Sequence, residues 1–357
     1  MLNNRYLYTT MEKLAKRDPS IDLMRFIGLS MIVLAHIGLS RTDSILFQLR
    51  SFDVPLMVFT SGLAFSGKKT GPYLSFIWKR TLRLIVPVYL FVTAYMLLNP
   101  VLSQWGLVEN YASDQIMGTY ALRLNPSIGY VWVIRVFLIV MLLTPVLLWL
   151  EERMKRHSVF YLTVAAMLGL QWLLVWWLKP LKLGAFVNDW LLYIFGYSAV
   201  FMTGLRFRKA SGKERLVIFG IVLAVMAAMA FFIMSEHGTW IYFQKLKYPP
   251  RPYFLMWGIL VSMFLWMTSG LWSKLLDNSL FTFIGRNTIW IYLWHIPFVN
   301  LVAGERGFIA VFAGWNPVWK YIFVYGCALA VYGIQYWLVK SVESRWPKNI
   351  VTKYFKG

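Results

Sequence analysis

IDLMRFIGLSMIVLAHIGLS, residues 21–40, has the length a bilayer core demands, about 20 residues, yet it carries Asp22, Arg25 and His36. Arg25 and His36 are eleven positions apart. At about 100° per residue that is three turns plus about 20°, so both side chains share one helix face, about 16 Å apart along the axis. Asp22 falls one turn before Arg25, close to the same stripe. Ionisable groups inside a membrane-length helix are costly, and by default they mark a functional site.

The rest of the chain extends this pattern. It has 357 residues, 59% hydrophobic and 14% charged, with mean hydropathy +0.58. A soluble domain cannot hide that much apolar surface. Four windows hold no charge at all: Ser158–Leu178, Leu216–Ser235, Tyr253–Trp272 and Tyr321–Val339. The expected fold is all-α, a polytopic membrane bundle of about ten transmembrane helices with both termini cytoplasmic. The spans fall near 21–40, 45–66, 81–99, 128–150, 158–178, 187–205, 216–235, 253–272, 281–303 and 318–339. A cytoplasmic leader (1–20) and a basic cytoplasmic tail (341–357) flank the transmembrane domain (21–340).

The net charge of +21 suggests nucleic acid at first sight. Its distribution argues otherwise, because most Lys and Arg fall on alternate connections, all on one side of such a bundle. That is the positive-inside pattern, with membrane lipids rather than nucleic acid as the partner. The single cysteine, Cys327, excludes a disulfide framework and a Cys-based metal site, and no other metal site is expected. The first apolar run follows the polar, basic leader with Lys13, Lys16 and Arg17, so it reads as an uncleaved anchor.

Connections are short, so any chemistry must occur in the bundle itself. The stretch Tyr248-Pro249-Pro250-Arg251-Pro252 reads as stiff and extended. Proline interrupts four spans, at Pro55, Pro87, Pro145 and Pro297, where freed carbonyls call for kinks or a polar cavity. No internal repeat is found, which weakens a transporter built from inverted halves.

Following the chain up and down sorts the ionisable groups into two layers. The outer layer holds His36, Arg50, Asp53, Arg135 and His295; the inner one holds Asp22, Arg25 and the turn Lys79-Arg80-Thr81-Leu82-Arg83. Arg80 and Arg83 share a face. They read either as a grip on a ligand carrying several phosphates or as an anchor snorkelling to lipid headgroups. His36 is suited to be a general base, or is a histidine hydrogen-bonded across helices. His295 is a substrate-binding or a packing group. Arg50 and Asp53 bind substrate and assist chemistry, or simply neutralise each other. Arg25 and Asp22 are part of the site, or a structural pair. Arg135 has no acid nearby in sequence and needs a partner from another helix.

These residues resemble the family-three membrane acyltransferases, bacterial polytopic enzymes that acylate surface glycans. The likeness runs through nearly the whole chain. It includes Asp22-Leu-Met-Arg25 with His36, Phe52-Asp53-Val54-Pro55-Leu56 leading to Ser61-Gly62, and Lys79-Arg80-x-x-Arg83 leading to Pro87. It continues with Trp132 before Pro145, Tyr248-Pro249-Pro250, Ile284-Gly285-Arg286-Asn287 and Tyr292-Leu293-Trp294-His295. The resemblance implies that Arg25 and His36 are the family's first-helix pair, and that Arg80 and Arg83, with Lys79, handle an acyl-coenzyme A donor. No tightly bound cofactor is expected; acyl-CoA, acetyl-CoA by default, is the donor substrate. Some relatives carry an extra hydrolase-like domain. This sequence ends soon after its last span, so a single-module enzyme is implied.

The expected activity is O-acyl transfer, most simply O-acetyl transfer, to a hydroxyl of a surface polysaccharide or lipid-linked sugar in the bacterial cytoplasmic membrane. His36 would remove the hydroxyl proton, Asp53 would orient the imidazole, and Arg135 or Arg50 would stabilise the oxyanion. A covalent acyl-histidine is the variant. The main rival is a glycan flippase or exporter using the same charged cavity; a membrane scaffold would not need five ionisable groups at one depth. The acyl group, the acceptor and the oligomeric state are not readable from sequence.

Overall fold

A computed structural model of the chain describes residues 18–37, 45–68, 70–240, 242–276, 278–303, 312, 314–346 and 352–356. It is 83% helical, and no strand occurs among the described residues. Helix α1 (Pro19–His36) opens with Pro19 at its first position, and the Asp18 side chain accepts from the Ser20 N–H at 3.1 Å. These are two standard devices for starting a helix. A short α2 (Ile45–Leu49), one 3₁₀ turn (Arg50–Phe52) and α3 (Asp53–Phe65) follow. Next come α4 (Tyr73–Gln104), α5 (Ser113–Tyr120), α6 (Trp132–Arg153) and α7 (His157–Leu178). A π turn (Phe186–Leu191) leads into α8 (Leu192–Lys209), and α9 spans Gly212–His237. The chain continues through α10 (Pro252–Met267), α11 (Ser269–Leu275), α12 (Ser279–Arg286) and α13 (Thr288–Ala303). It closes with α14 (Pro317–Arg345) and the single turn α15 (Thr352–Phe355).

Seven of these helices are long and apolar enough to cross a membrane. All ten expected segments contain helix, but three are broken. The segment 45–66 is interrupted at Arg50–Phe52. There Arg50 and Asp53, three apart, form an ion pair at 2.6 Å, and Asp53 Oδ1 accepts the Val54 N–H at 2.7 Å. The acid at the helix start and Pro55 in its first turn make α3 a new helix rather than a continuation. The segment 253–272 bends by 72° at Thr268, between α10 and α11. The segment 281–303 divides at Asn287, between α12 and α13. Hydropathy alone does not register such breaks, because the apolar content continues across them. The expected extended piece at 248–252 is instead a compact turn: the Arg251 N–H bonds back to the Leu246 carbonyl at 2.8 Å, and Pro252 starts α10.

The centre of the bundle is the pair α3 and α8, against which α1, α6, α7 and α10 pack. Their backbones touch. A Cβ on Gly62 would lie 2.2 Å from the Phe201 carbonyl oxygen, and one on Gly204 2.2 Å from that of Phe59. Small residues allow this approach, the usual way for helices to associate in lipid. Since the obstacle is backbone, Gly62→Val must force α3 and α8 apart. It is expected to cost about 1–3 kcal/mol or more, seen as a lower melting temperature in detergent. Helix α12 meets α1 the same way, with a Cβ on Gly285 placed 1.9 Å from the Asp22 carbonyl oxygen. By contrast α9 buries only Ile218 and Met226 and lies at the periphery.

Candidate active site

The N-terminal end of α1 carries an arginine layer. Asp22 is fully buried, and its carboxylate pairs with Arg25 at 3.4 Å and with Arg286 at 3.1 Å. Gly285 brings α12 close enough for Arg286 to reach it. Asp22 thus holds two guanidinium groups in place, the structural pairing with Arg25 being one part of a larger cluster. Beside them opens a cavity of about 290 Å³. Arg25, Arg80 and Arg83 line it from two helices, and Leu29, Ile32 and Met57 continue it inward to Tyr292. Lys79 is exposed and does not line the cavity.

The cavity reaches Ile32 on α1 and Tyr292 on α13, one helical turn short of His36 and His295 respectively. Those two imidazoles meet. His36 Nδ1 lies 3.0 Å from His295 Nε2, and the ring centroids are 5.2 Å apart. His295 is fully buried, and its Nδ1 bonds to the backbone carbonyl of Tyr292. A carbonyl only accepts, so the His295 proton sits on Nδ1 and its Nε2 presents a lone pair. His36 must then donate from Nδ1, which leaves its own Nε2 free to take a proton. Tyr130 packs edge-on to His36 at 4.7 Å, and its hydroxyl donates to Asn300 Oδ1 at 3.3 Å. The Asn300 amide in turn donates to the hydroxyls of Tyr95 and Tyr111 at 2.8 and 2.9 Å.

Next to the imidazoles lies a buried ion cluster. Asp53 receives Arg50 at 2.6 Å and Lys247 at 3.3 Å, all three side chains being no more than 4% exposed. Lys247 lies over Trp132, two residues along the chain from Tyr130, which packs edge-on to His36. This corrects the expected role of Asp53: its oxygens are taken by Arg50, Lys247 and the Val54 N–H, and His295 is what meets His36. Lys247 itself lies in the connection between α9 and α10, over the rings of Trp132 and Tyr248 at 5.6 and 5.5 Å. Burial pulls its ammonium down to about 8, against the upward pull of Asp53.

Arg135 reaches this group only through rings, Tyr193 lying under it and against Trp132. It is fully buried and bonds Asp189 at 3.1 Å and the Leu122 carbonyl at 3.0 Å, with its guanidinium over Tyr193 at 4.9 Å. The partner it required from elsewhere is therefore a carboxylate in the turn leading to α8.

Sequence reasoning missed Lys247, Asn300, Tyr130 and Asp189. Only Lys247 carried a usable signal, a lysine directly before Tyr248-Pro249-Pro250. The others are polar residues whose partners lie far along the chain. No group of three or more potential metal ligands occurs among the described residues. What the arrangement offers is a base nitrogen of fixed tautomer, a buried positive cluster in the same part of the bundle, and an arginine-lined cavity that ends one helical turn below it.

Residues 18–337 match the family model described as an acyltransferase domain, acyltransferase family 3. No curated protein matches the chain.

Proposed function

Since this chain belongs to acyltransferase family 3, integral membrane enzymes that move groups other than aminoacyl groups, we propose that it transfers an acyl group, most simply acetyl, from acyl-CoA to a sugar hydroxyl. The acceptor is a cell-surface polysaccharide or a lipid-linked sugar, and the enzyme works in the bacterial cytoplasmic membrane. The observation that carries this is the cavity joining Arg25, Arg80 and Arg83 to the floor of the His36–His295 pair. Its mouth faces the cytosol on the positive-inside argument. The guanidinium groups take the donor's phosphates, and the narrow apolar part takes the pantetheine arm with the thioester leading.

At the far end His36 Nε2 accepts the proton of the acceptor hydroxyl as its oxygen attacks the thioester carbonyl. Collapse of the tetrahedral intermediate breaks the C–S bond, and the proton on His36 passes to the departing thiolate. His295 keeps the imidazole in the reactive tautomer. Asp22 is a positioning residue for Arg25 and Arg286.

Purified protein should bind acetyl-CoA and release free thiol with a suitable glycan present. Mass spectrometry of surface glycans from cells lacking the gene should show the loss of one acyl increment. Glycan moved without any acyl-CoA consumed would instead support an exporter. Arg80→Ala and Arg83→Ala each remove charge-assisted hydrogen bonds of about 1.5–3 kcal/mol. Each is expected to raise the KM for acyl-CoA by roughly tenfold or more with kcat little changed, as uniform binding requires.

A further inference from the structure

The cluster beside His36 does not balance. Arg50 and Lys247 each bring one positive charge, and among the described residues Asp53 is the only carboxylate bonded to either. Arg50 is the better matched, with its NH1 at 2.6 Å from Asp53 Oδ2 and its plane over Phe47 at 4.2 Å. Its Nε is buried and bonds nothing among the described residues. Lys247 is the surplus cation. It reaches Asp53 Oδ1 at 3.3 Å and shares that oxygen with the Val54 N–H, and its ammonium makes no other hydrogen bond among the described residues. Two of its three protons are therefore undirected, inside a wall formed by Trp132, Tyr248 and Phe254.

A buried charge without a matching partner is destabilising, and neutral packing of the same shape is often the more stable choice. The aromatic faces offset part of that cost, since a cation over a ring is attracted to it. They do not neutralise the charge. An enzyme that keeps a surplus cation at this cost has use for it in a state that is not the resting one. The reaction supplies such a state: when the thioester carbonyl is attacked, its π electrons move onto the oxygen and form an anion near the base.

We propose that Lys247, steadied with Arg50 on Asp53, is the group that stabilises the oxyanion formed during transfer at His36. This rests on the His36 chemistry given above and assigns the step that chemistry leaves open. The step balances. The acceptor oxygen forms the new C–O bond, its proton goes to His36 Nε2, and the carbonyl electron pair settles on the oxygen facing the Lys247 ammonium. When the pair returns, the C–S bond breaks and the thiolate recovers the proton. An oxyanion is a single atom, which suits two cations packed with no more than 4% of each side chain exposed. A phosphate or carboxylate on the acceptor would need far more room. Fixed donors aimed at developing charge in a dry site are worth most in just this setting.

The test uses the full-length protein in detergent or vesicles with acetyl-CoA as probe. It compares wild type, Lys247→Met, Lys247→Arg and His36→Ala. Two rates are read, thioester hydrolysis with water as acceptor and transfer to glycan, together with melting temperature. Lys247→Met should lower both rates by roughly 10²- to 10³-fold, the cost of removing one oxyanion donor, without raising the KM for acetyl-CoA. Its melting temperature should equal or exceed the parent's, because Arg50 and Asp53 remain as a matched pair. Lys247→Arg should restore part of both rates. A purely structural lysine would give the reverse, a falling melting temperature with kcat retained, and that result overturns the proposal. So does loss of transfer with hydrolysis intact, which would assign Lys247 to a charge carried by the acceptor. If wild type shows no His36-dependent cleavage, the base assignment has failed. If it does and Lys247→Met matches it, only the oxyanion assignment has.

Discussion

Changing His36 to Ala is expected to lower acyl transfer by roughly 10²- to 10⁴-fold, the range that a positioned general base supplies. No other described side chain offers a free base nitrogen at the head of the cavity: His295 uses both nitrogens, on His36 and on the Tyr292 carbonyl. The variant should still fold. His36 is only partly buried at the end of α1, and the glycine-mediated contacts of α3 with α8 do not involve it. Thiol release from acetyl-CoA and elution of a monodisperse peak from a sizing column are the measurements. Binding of acetyl-CoA should persist, because Arg25, Arg80 and Arg83 line the opposite end of the cavity. Undiminished transfer in a folded variant would mean that another group takes the proton.

The second large effect belongs to His295. Replacing it with Ala removes the acceptor for the Nδ1 proton of His36, so the proton is free to occupy Nε2 and block the reactive lone pair. In a serine protease, loss of the group that fixes the tautomer costs about 10⁴-fold. Here roughly 10²- to 10³-fold is expected, since a share of the rings keeps the useful tautomer. His295→Gln retains an acceptor oxygen at similar reach and should recover a substantial part of the rate. A packing-only histidine would show no such rescue, and kcat measured across Ala, Gln and Phe variants tells the two apart.

The fold was legible in sequence as far as hydropathy carries. Ten apolar segments were placed, all contain helix, and α1 sits where its polar stripe was read. The breaks at Arg50–Phe52, Thr268 and Asn287 were not legible. They arise from side-chain pairing and tertiary packing, and an apolar average runs through them unchanged. For the candidate site, spacing set Arg25 and His36 on one face, but it did not show what either touches. On spacing alone Arg80 and Arg83 read as a lipid anchor or a phosphate grip, and α4 places them on the same cavity as Arg25. The pairings Asp53 with Lys247, Arg135 with Asp189 and His36 with His295 join residues far apart in the chain. Only the folded arrangement decides them. Asp53 shows the limit most clearly: depth along its helix put it near the imidazole, and local bonding turned it toward two cations instead.

On the imidazole side the cavity is lined by Ile32 and Tyr292. On the function proposed, those two side chains serve as a ruler. A two-carbon group carried in tail-first would fit under the histidines, whereas a fatty tail would jam against them and hold its thioester out of reach. Chain-length preference would thus be set by a pair of bulky side chains rather than by any polar contact. Relatives trimmed at these two positions would be the ones to handle longer cargo.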